Sequence, residues 1–139
     1  MRAMPMTAAE IEQFIHAQFP QVEGLAAIEE ITVDAVRVRL PFKEAYLRPG
    51  GTLSGPTLMA LADTATYYLL LAKLGPVALA VTTSLTMHFL RRPAAVDAVA
   101  IARLLKLGKR LAVCDVLISS DGDPTPVAHA TVSYALPPA

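Results

Sequence analysis

Residues Leu58, Met59, Leu61, Ala62, Ala65, Tyr68, Leu69, Leu70 and Leu71 cover most of a helical circumference. A helix that is apolar nearly all round belongs inside a protein rather than on its surface. Pro56 fits the first helical position, with Ser54 or Gly55 near the cap, and Gly75-Pro76 ends the segment. The spacing predicts a buried rod of roughly twenty residues, about 30 Å long at about 1.5 Å per residue. A shorter helix precedes it. Thr7 and Glu10 have the spacing of a capping box, Ile11, Phe14, Ile15 and Phe19 recur at helical intervals, and Pro20 closes the segment.

Between the helices the pattern changes to alternation. Val36, Val38 and Leu40 interleave with Arg37 and Arg39, which predicts a strand with one wet face, paired as a hairpin with "LAAIEEITV". Beyond Pro76 every segment reads as strand: "VALAVTTSLTMHFLR", "VAIARLLKL", "RLAVCDVLISS" and "PVAHATVSYAL", each closed by a turn signal. With no helical segment between these runs, antiparallel meander pairing is expected. No repeat or low-complexity tract appears, so residues 1–139 are expected to form a single α+β domain. Its architecture would be a sheet of about six antiparallel strands wrapped around one long helix, with the short helix in front.

Composition sharpens this picture. The chain has 139 residues, enough to bury about two-thirds of its unfolded surface. It is 54% hydrophobic and only 17% charged. Its mean hydropathy of +0.47 raises the question of a membrane protein. The most apolar run answers it, because Asp63, Thr64, Thr66 and Lys73 interrupt it. No signal peptide is expected either, since "MRAMPMTAAEIEQF" turns charged before an apolar core develops. The excess apolarity is better read as a large buried surface, part of it at a subunit interface. Twelve Lys+Arg against twelve Asp+Glu leave no basic footprint for nucleic acid. The single Cys114, in an apolar run, reads as a buried thiol in a reducing cytoplasm, and the scattered His16, His88 and His129 give no metal-ligand spacing.

Asp63 stands out. Aspartate is a poor helix former, and its charge is costly to bury without a partner, yet it sits mid-helix among Leu61, Ala62 and Ala65. The segment "GGTLSGPTLMALADTA", in this order of elements, resembles the hotdog fold, and more closely the PaaI-type branch of the 4-hydroxybenzoyl-CoA thioesterase superfamily. The resemblance covers the chain from about Gly24 onward. The family's approach to the helix runs roughly Asn-x-x-Gly-Thr-x-His-Gly-Gly, followed by Leu-Ala-Asp-Thr-Ala. Gly51, Thr52, Gly55 and "LADTA" from Leu61 to Ala65 match, and "AVTTSLTMHFLRRP" and "LLKLGKRLAVCDV" are similar to the central strand and the following hairpin.

The resemblance implies acyl-CoA hydrolysis with Asp63 as general base or nucleophile, no metal, and no cofactor beyond the CoA of the substrate. It also implies that a backbone N–H at the helix N-terminus, at Gly55 or Thr57, polarises the thioester carbonyl, helped by a side chain such as Ser54. The chain departs from the family at three places: Arg48 stands for Asn, Ser54 for His, and Pro56, which has no N–H, for the second Gly. Arg48 can serve a substrate carboxylate or the tetrahedral intermediate, or be a solvated loop charge. Ser54 can be a helix cap and nothing more. Thr82, Thr83 and Ser84 interrupt a strand whose counterpart in the family passes beside the active carboxylate; by the resemblance one or two of them hydrogen-bond Asp63 or the pantetheine amide, or else they are ordinary residues of a wet face, and Thr64 is expected at the substrate. By the same resemblance Arg91, Arg92, Lys109 and Arg110 would face the phosphates of CoA. A homodimer or homotetramer is expected. Two other functions compete: a non-catalytic acyl-CoA-binding module, kept open by the missing Asn and His, and a hotdog dehydratase, disfavoured because "TLSGP" carries no His.

Overall fold

The computed structural model describes residues 5–138. The four residues that open the N-terminal segment, on which part of the signal-peptide reading rests, lie outside that range. Helix α1 (Ala8–Gln18) begins as the spacing requires: the Thr7 hydroxyl accepts from the Glu10 amide at 3.2 Å and the Glu10 carboxylate from the Thr7 amide at 3.0 Å. Ile11 and Ile15 are its buried stripe, whereas Phe14 is half-buried and Phe19 lies past the helix end, 38% exposed.

Strands β1 (Ala27–Ile31) and β2 (Ala35–Leu40) form the expected hairpin, with Ile28 opposite Val38 and Ile31 opposite Val36. Val36, Val38 and Leu40 face inward while Arg37 and Arg39 face out. Glu29 receives both guanidinium groups at 3.0 and 2.8 Å, and Arg39 also reaches Asp97 and Asp121. These carboxylates, Glu29 first, raise the Arg39 guanidinium above its ordinary range, and Arg39 in return lowers the Glu29 carboxyl. A small hairpin of β3 (Leu47–Arg48) and β4 (Thr52–Leu53) then turns through Gly50 and Gly51, both at positive φ.

Helix α2 (Gly55–Leu74) is 20 residues long, capped by Ser54 and closed by Gly75 at φ 86°. Gly55 is its first residue, so Pro56 stands second. Leu58, Leu61, Leu69, Leu70 and Leu71 are fully buried; each contributes about 1.5–3 kcal/mol of hydrophobic stabilisation. The sheet's inner face packs against the helix with small residues, Ala98, Ala100, Ala102, Ala112, Ala128 and Ala130, beside the larger Val116, Ile118 and Val132, all essentially inaccessible. Cys114 is buried on the same face, unpaired, its thiol pushed up to about 12 by burial.

The remaining strands are β5 (Val81–Phe89), β6 (Ala98–Leu107), β7 (Leu111–Ser120) and β8 (Pro126–Ala135). All pairings are antiparallel and the six-stranded order is β1-β2-β6-β7-β8-β5. The meander therefore holds for β6, β7 and β8 only. β5 leaves it, crosses to the far side and pairs with β8, and β2 takes the place beside β6. This makes β5 an edge strand with its other side open. Among the described residues no helix is long and apolar enough to cross a membrane.

Candidate active site

Asp63 lies on α2 above the start of β5 and the end of β8. It is half-buried and lines an open cavity of about 470 Å³ with Gln18, Phe19, Tyr67, Ala78, Ala80, Val81, Thr82 and Tyr134. Its Oδ1 accepts from the Thr82 hydroxyl at 2.6 Å and the Tyr134 hydroxyl at 2.9 Å; the same phenol lies 3.2 Å from the Asp63 carbonyl. Among the described residues no Lys, Arg or His forms an ion pair with Asp63, and its Oδ2 has no hydrogen-bond partner. A carboxylate in that position keeps one oxygen available to whatever occupies the cavity.

The local backbone explains why Thr82, not Thr83, reaches Asp63. Leu85, Met87 and Phe89 alternate toward α2, and strict alternation would turn Thr83 inward with them. A β-bulge intervenes: Thr82 sits opposite Tyr134 and Ser84 opposite Ser133, leaving Thr83 as the extra residue. Thr83 donates its hydroxyl to the Ser133 carbonyl at 3.2 Å instead. Thr64, also singled out from the sequence, is buried on another side of the helix and makes no hydrogen bond to Asp63.

Tyr134, Tyr67 and Phe19 carry no sequence signature of a site, yet they build its wall. Tyr67 and Tyr134 have ring centroids 6.2 Å apart, and Phe19 meets Tyr67 edge-on at 5.8 Å. Tyr67 donates to the Ala78 carbonyl at 3.2 Å. Burial, followed by the neighbouring Asp63 charge, holds the Tyr134 phenol far above its ordinary titration, so it is a neutral donor. The available signal was period two: Val132, Tyr134 and Leu136 share the inward face, and a buried tyrosine needs a partner for its hydroxyl.

At the N-terminus of α2 the Ser54 hydroxyl accepts from the Thr57 amide at 3.3 Å and pairs with the Thr57 hydroxyl at 2.8 Å. Ser54 is thus the helix cap, and the Thr57 N–H is already engaged. Pro56 has no N–H, which leaves Gly55 with the first-turn amide that has no partner among the described residues. Gly55 packs beneath Phe89: a Cβ there would stand 3.3 Å from the ring. Helix α2 and β5 consequently run antiparallel, with Gly55 at one end beside Phe89 and Asp63 farther along beside Thr82.

The cationic candidates divide between the same two ends. Arg91 and Arg92 follow Phe89 and are exposed; the Arg91 guanidinium donates to the Pro126 carbonyl at 2.8 Å. Arg48, on the β3–β4 hairpin, is exposed and donates to the adjacent Pro49 carbonyl at 3.3 Å. Lys109 and Arg110 form the exposed β6–β7 turn at the opposite end of the sheet, where the Arg110 carbonyl accepts from Leu136, two residues past Tyr134. No single end of one chain gathers them all. No His, Cys, Asp or Glu grouping among the described residues would hold a metal. A separate cavity of about 300 Å³ between α1 and β1, lined by Ile11, Ile15, Ile28 and Tyr68 among others, shares no residue with the Asp63 cavity.

The model of the thioesterase superfamily matches residues 50–127, which includes α2 and Asp63. Among solved structures, the chain is 42% identical to a candidate thioesterase from Silicibacter sp. TM1040, covering 99% of this chain and 95% of that one with a TM-score of 0.87. A candidate thioesterase related to phenylacetic acid degradation, from Ralstonia eutropha JMP134, is 27% identical over 84% of this chain and 89% of its own, with a TM-score of 0.76. Zebra fish thioesterase superfamily member 2 shares the fold at 18% identity, with a TM-score of 0.81 over 95% of this chain and 99% of its own. None of the curated proteins matches the chain.

Proposed function

We propose that this chain, which belongs to the thioesterase superfamily, hydrolyses acyl-CoA thioesters with Asp63 as the reacting carboxylate. The family carries the reaction class, thioester hydrolysis; the CoA ester and the residue roles are our reading. The observation that carries it is the state of Asp63: a mid-helix carboxylate with no cation beside it among the described residues, anchored through one oxygen at the wall of an open cavity.

Two routes use the other oxygen of Asp63. As a general base, Oδ2 takes a proton from water while the water oxygen bonds to the thioester carbon. The tetrahedral intermediate then expels CoA thiolate, which recovers the proton. As a nucleophile, Oδ2 bonds to the carbonyl carbon and expels the thiolate, and water hydrolyses the resulting anhydride. Both balance without a metal or a redox partner. In both, negative charge grows on the carbonyl oxygen, and the free Gly55 N–H at the positive end of α2 is the donor suited to it.

One chain cannot bring these groups to the same carbonyl, because Gly55 and Asp63 are about 12 Å apart along the helix at the α-helical rise. The open edge of β5 supplies the remedy. A second copy pairing antiparallel there, with the two-fold axis at Thr86, would set Ser84 opposite the partner's His88 and, past the bulge at Thr83, Thr82 opposite the partner's Phe89. Asp63 of one subunit would then stand beside Gly55 of the partner subunit, and Arg91 and Arg92 of one would approach the Lys109-Arg110 turn of the other. Val81, Phe89 and Leu90, each more than half exposed in the single chain, would be covered. A homodimer, or a dimer of such dimers, is therefore the working unit, and the reducing cytoplasm suits its unpaired Cys114.

Release of free thiol from a panel of acyl-CoAs tests the reading. Turnover of at least one ester, abolished by Asp63→Asn, is expected. Tight binding without turnover would mean a binding module instead.

A further inference from the structure

We propose that Tyr134 and Thr82 are a positioning pair that makes the Asp63 carboxylate one-sided, holding Oδ1 so that Oδ2 alone meets the thioester or its water. The proposal rests on the reading of Asp63 as the reacting group. Terminal torsions of an aspartate are broad and nearly two-fold, so an unheld carboxylate exchanges its two oxygens freely. Here both hydroxyls converge on the same oxygen, at 2.6 and 2.9 Å, and among the described residues no donor reaches the other. Tyr134 also stands 3.2 Å from the main-chain carbonyl of the same residue, so its hydroxyl relates the side chain of Asp63 to the helix axis. Charge drawn toward Oδ1 by two donors leaves the lone pairs of Oδ2 unshared.

Three further features separate this from ordinary packing. The two tyrosines of α2 satisfy their hydroxyls on main-chain carbonyls: Tyr67 on Ala78 at 3.2 Å and Tyr68 on Ala26 at 3.3 Å. Tyr134 alone turns to a carboxylate at the wall of an open cavity. The two donors are direct cross-strand partners, so they move together. Finally, Thr82 reaches Asp63 only because β5 carries a bulge at Thr83, an irregularity confined to this point of its pairing with β8.

Tyr134→Phe removes one hydroxyl and keeps the ring. Steady-state hydrolysis of the best acyl-CoA should show kcat lower by about 10–100-fold, the scale of a misplaced reacting group, with KM unchanged within about twofold. Thr82→Val should act in the same direction, and Thr82→Ser, which restores the hydroxyl, should return kcat to near the wild-type value. Full kcat in Tyr134→Phe, or a raised KM with kcat unchanged, would overturn the proposal. Should Tyr134→Phe fail to fold, the Thr82→Val and Thr82→Ser pair decides: equal kcat in both also overturns it. Asp63→Asn separates the two levels. If that variant remains active, the reading of Asp63 fails; if it is dead while Tyr134→Phe and Thr82→Val keep full kcat, only the positioning pair fails.

Discussion

Replacing Asp63 with Asn removes the charge and the basic oxygen while leaving an acceptor where Thr82 and Tyr134 donate. The amide oxygen can take the place of Oδ1 and the NH₂ group that of Oδ2, where no donor opposes it among the described residues. Hydrogen bonds to a charged acceptor are worth about 1.5–3 kcal/mol and neutral ones about 0.5–1.5, so the exchange weakens two bonds by about 1 kcal/mol each. Against that, a half-buried carboxylate is relieved of a desolvation cost of similar size. Helix propensity is nearly the same for Asp and Asn. The net change in stability should stay within about 1 kcal/mol, a shift of about 3–5 °C in Tm for a domain of this size. Turnover has no such compensation. A lost general base costs about 10²–10⁴ in rate, and a lost nucleophile could cost more. The assay is thiol release and thermal melting on the same preparation. More than a tenth of wild-type kcat in the variant would refute a catalytic Asp63. A Tm lower by more than about 10 °C with activity retained would assign the carboxylate to the scaffold, since breaking a buried ion pair costs about 3–5 kcal/mol.

Light scattering at micromolar concentration should report at least a dimer, because β5 leaves a long open edge with Val81 and Phe89 exposed; a monomer would sink the shared-site arrangement. Converting Lys109 and Arg110 together to Ala should raise KM for CoA esters more than it lowers kcat, and the effect should shrink at high salt, since these charges act alike on ground and transition states. An unchanged KM at low salt would remove this turn from the CoA site. Gly55→Ala should lower kcat and lower Tm by a few degrees: the added methyl starts 3.3 Å from the ring of Phe89, exposed in the single chain but covered in the proposed dimer, so the amide of the first turn shifts to make room. Wild-type kcat in that variant would mean the carbonyl is polarised elsewhere.

Much of the fold was legible because its elements obey local periodicities. Helix α2 announced itself through an apolar surface on all sides and a Gly-Pro stop, α1 through its capping box, and β1–β2 through alternation. What the local pattern could not convey was where β5 would go. Turn signals say that a chain reverses; they do not say which edge the next strand finds. β6, β7 and β8 turn Ala98, Ala100, Ala102, Ala112, Ala128 and Ala130 to the core, together with the larger Val116, Ile118 and Val132. β5 turns Leu85 and Met87 to the core and sets Phe89 against Gly55 at the helix N-terminus.

The site divides in the same way. Asp63 was legible because it breaks a local rule: a charge in a buried helix is costly enough to need a reason, and the open cavity is that reason. Ser54 was readable as a cap from position alone, and the hydroxyl bound to the Thr57 amide bears this out. The partners of Asp63 were harder to read, because they depend on register. Period-two reading from Leu85, Met87 and Phe89 points to Thr83, and one extra residue in the bulge transfers the contact to Thr82. Tyr134 was invisible for a different reason: its meeting with Asp63 spans 71 residues of chain and requires β5 and β8 to be neighbours, a pairing that, like that of β2 with β6, the turn signals did not foretell. The strand that left the expected order is therefore the strand that completes the carboxylate's surroundings, and the error in topology and the omission at the site have a single physical origin.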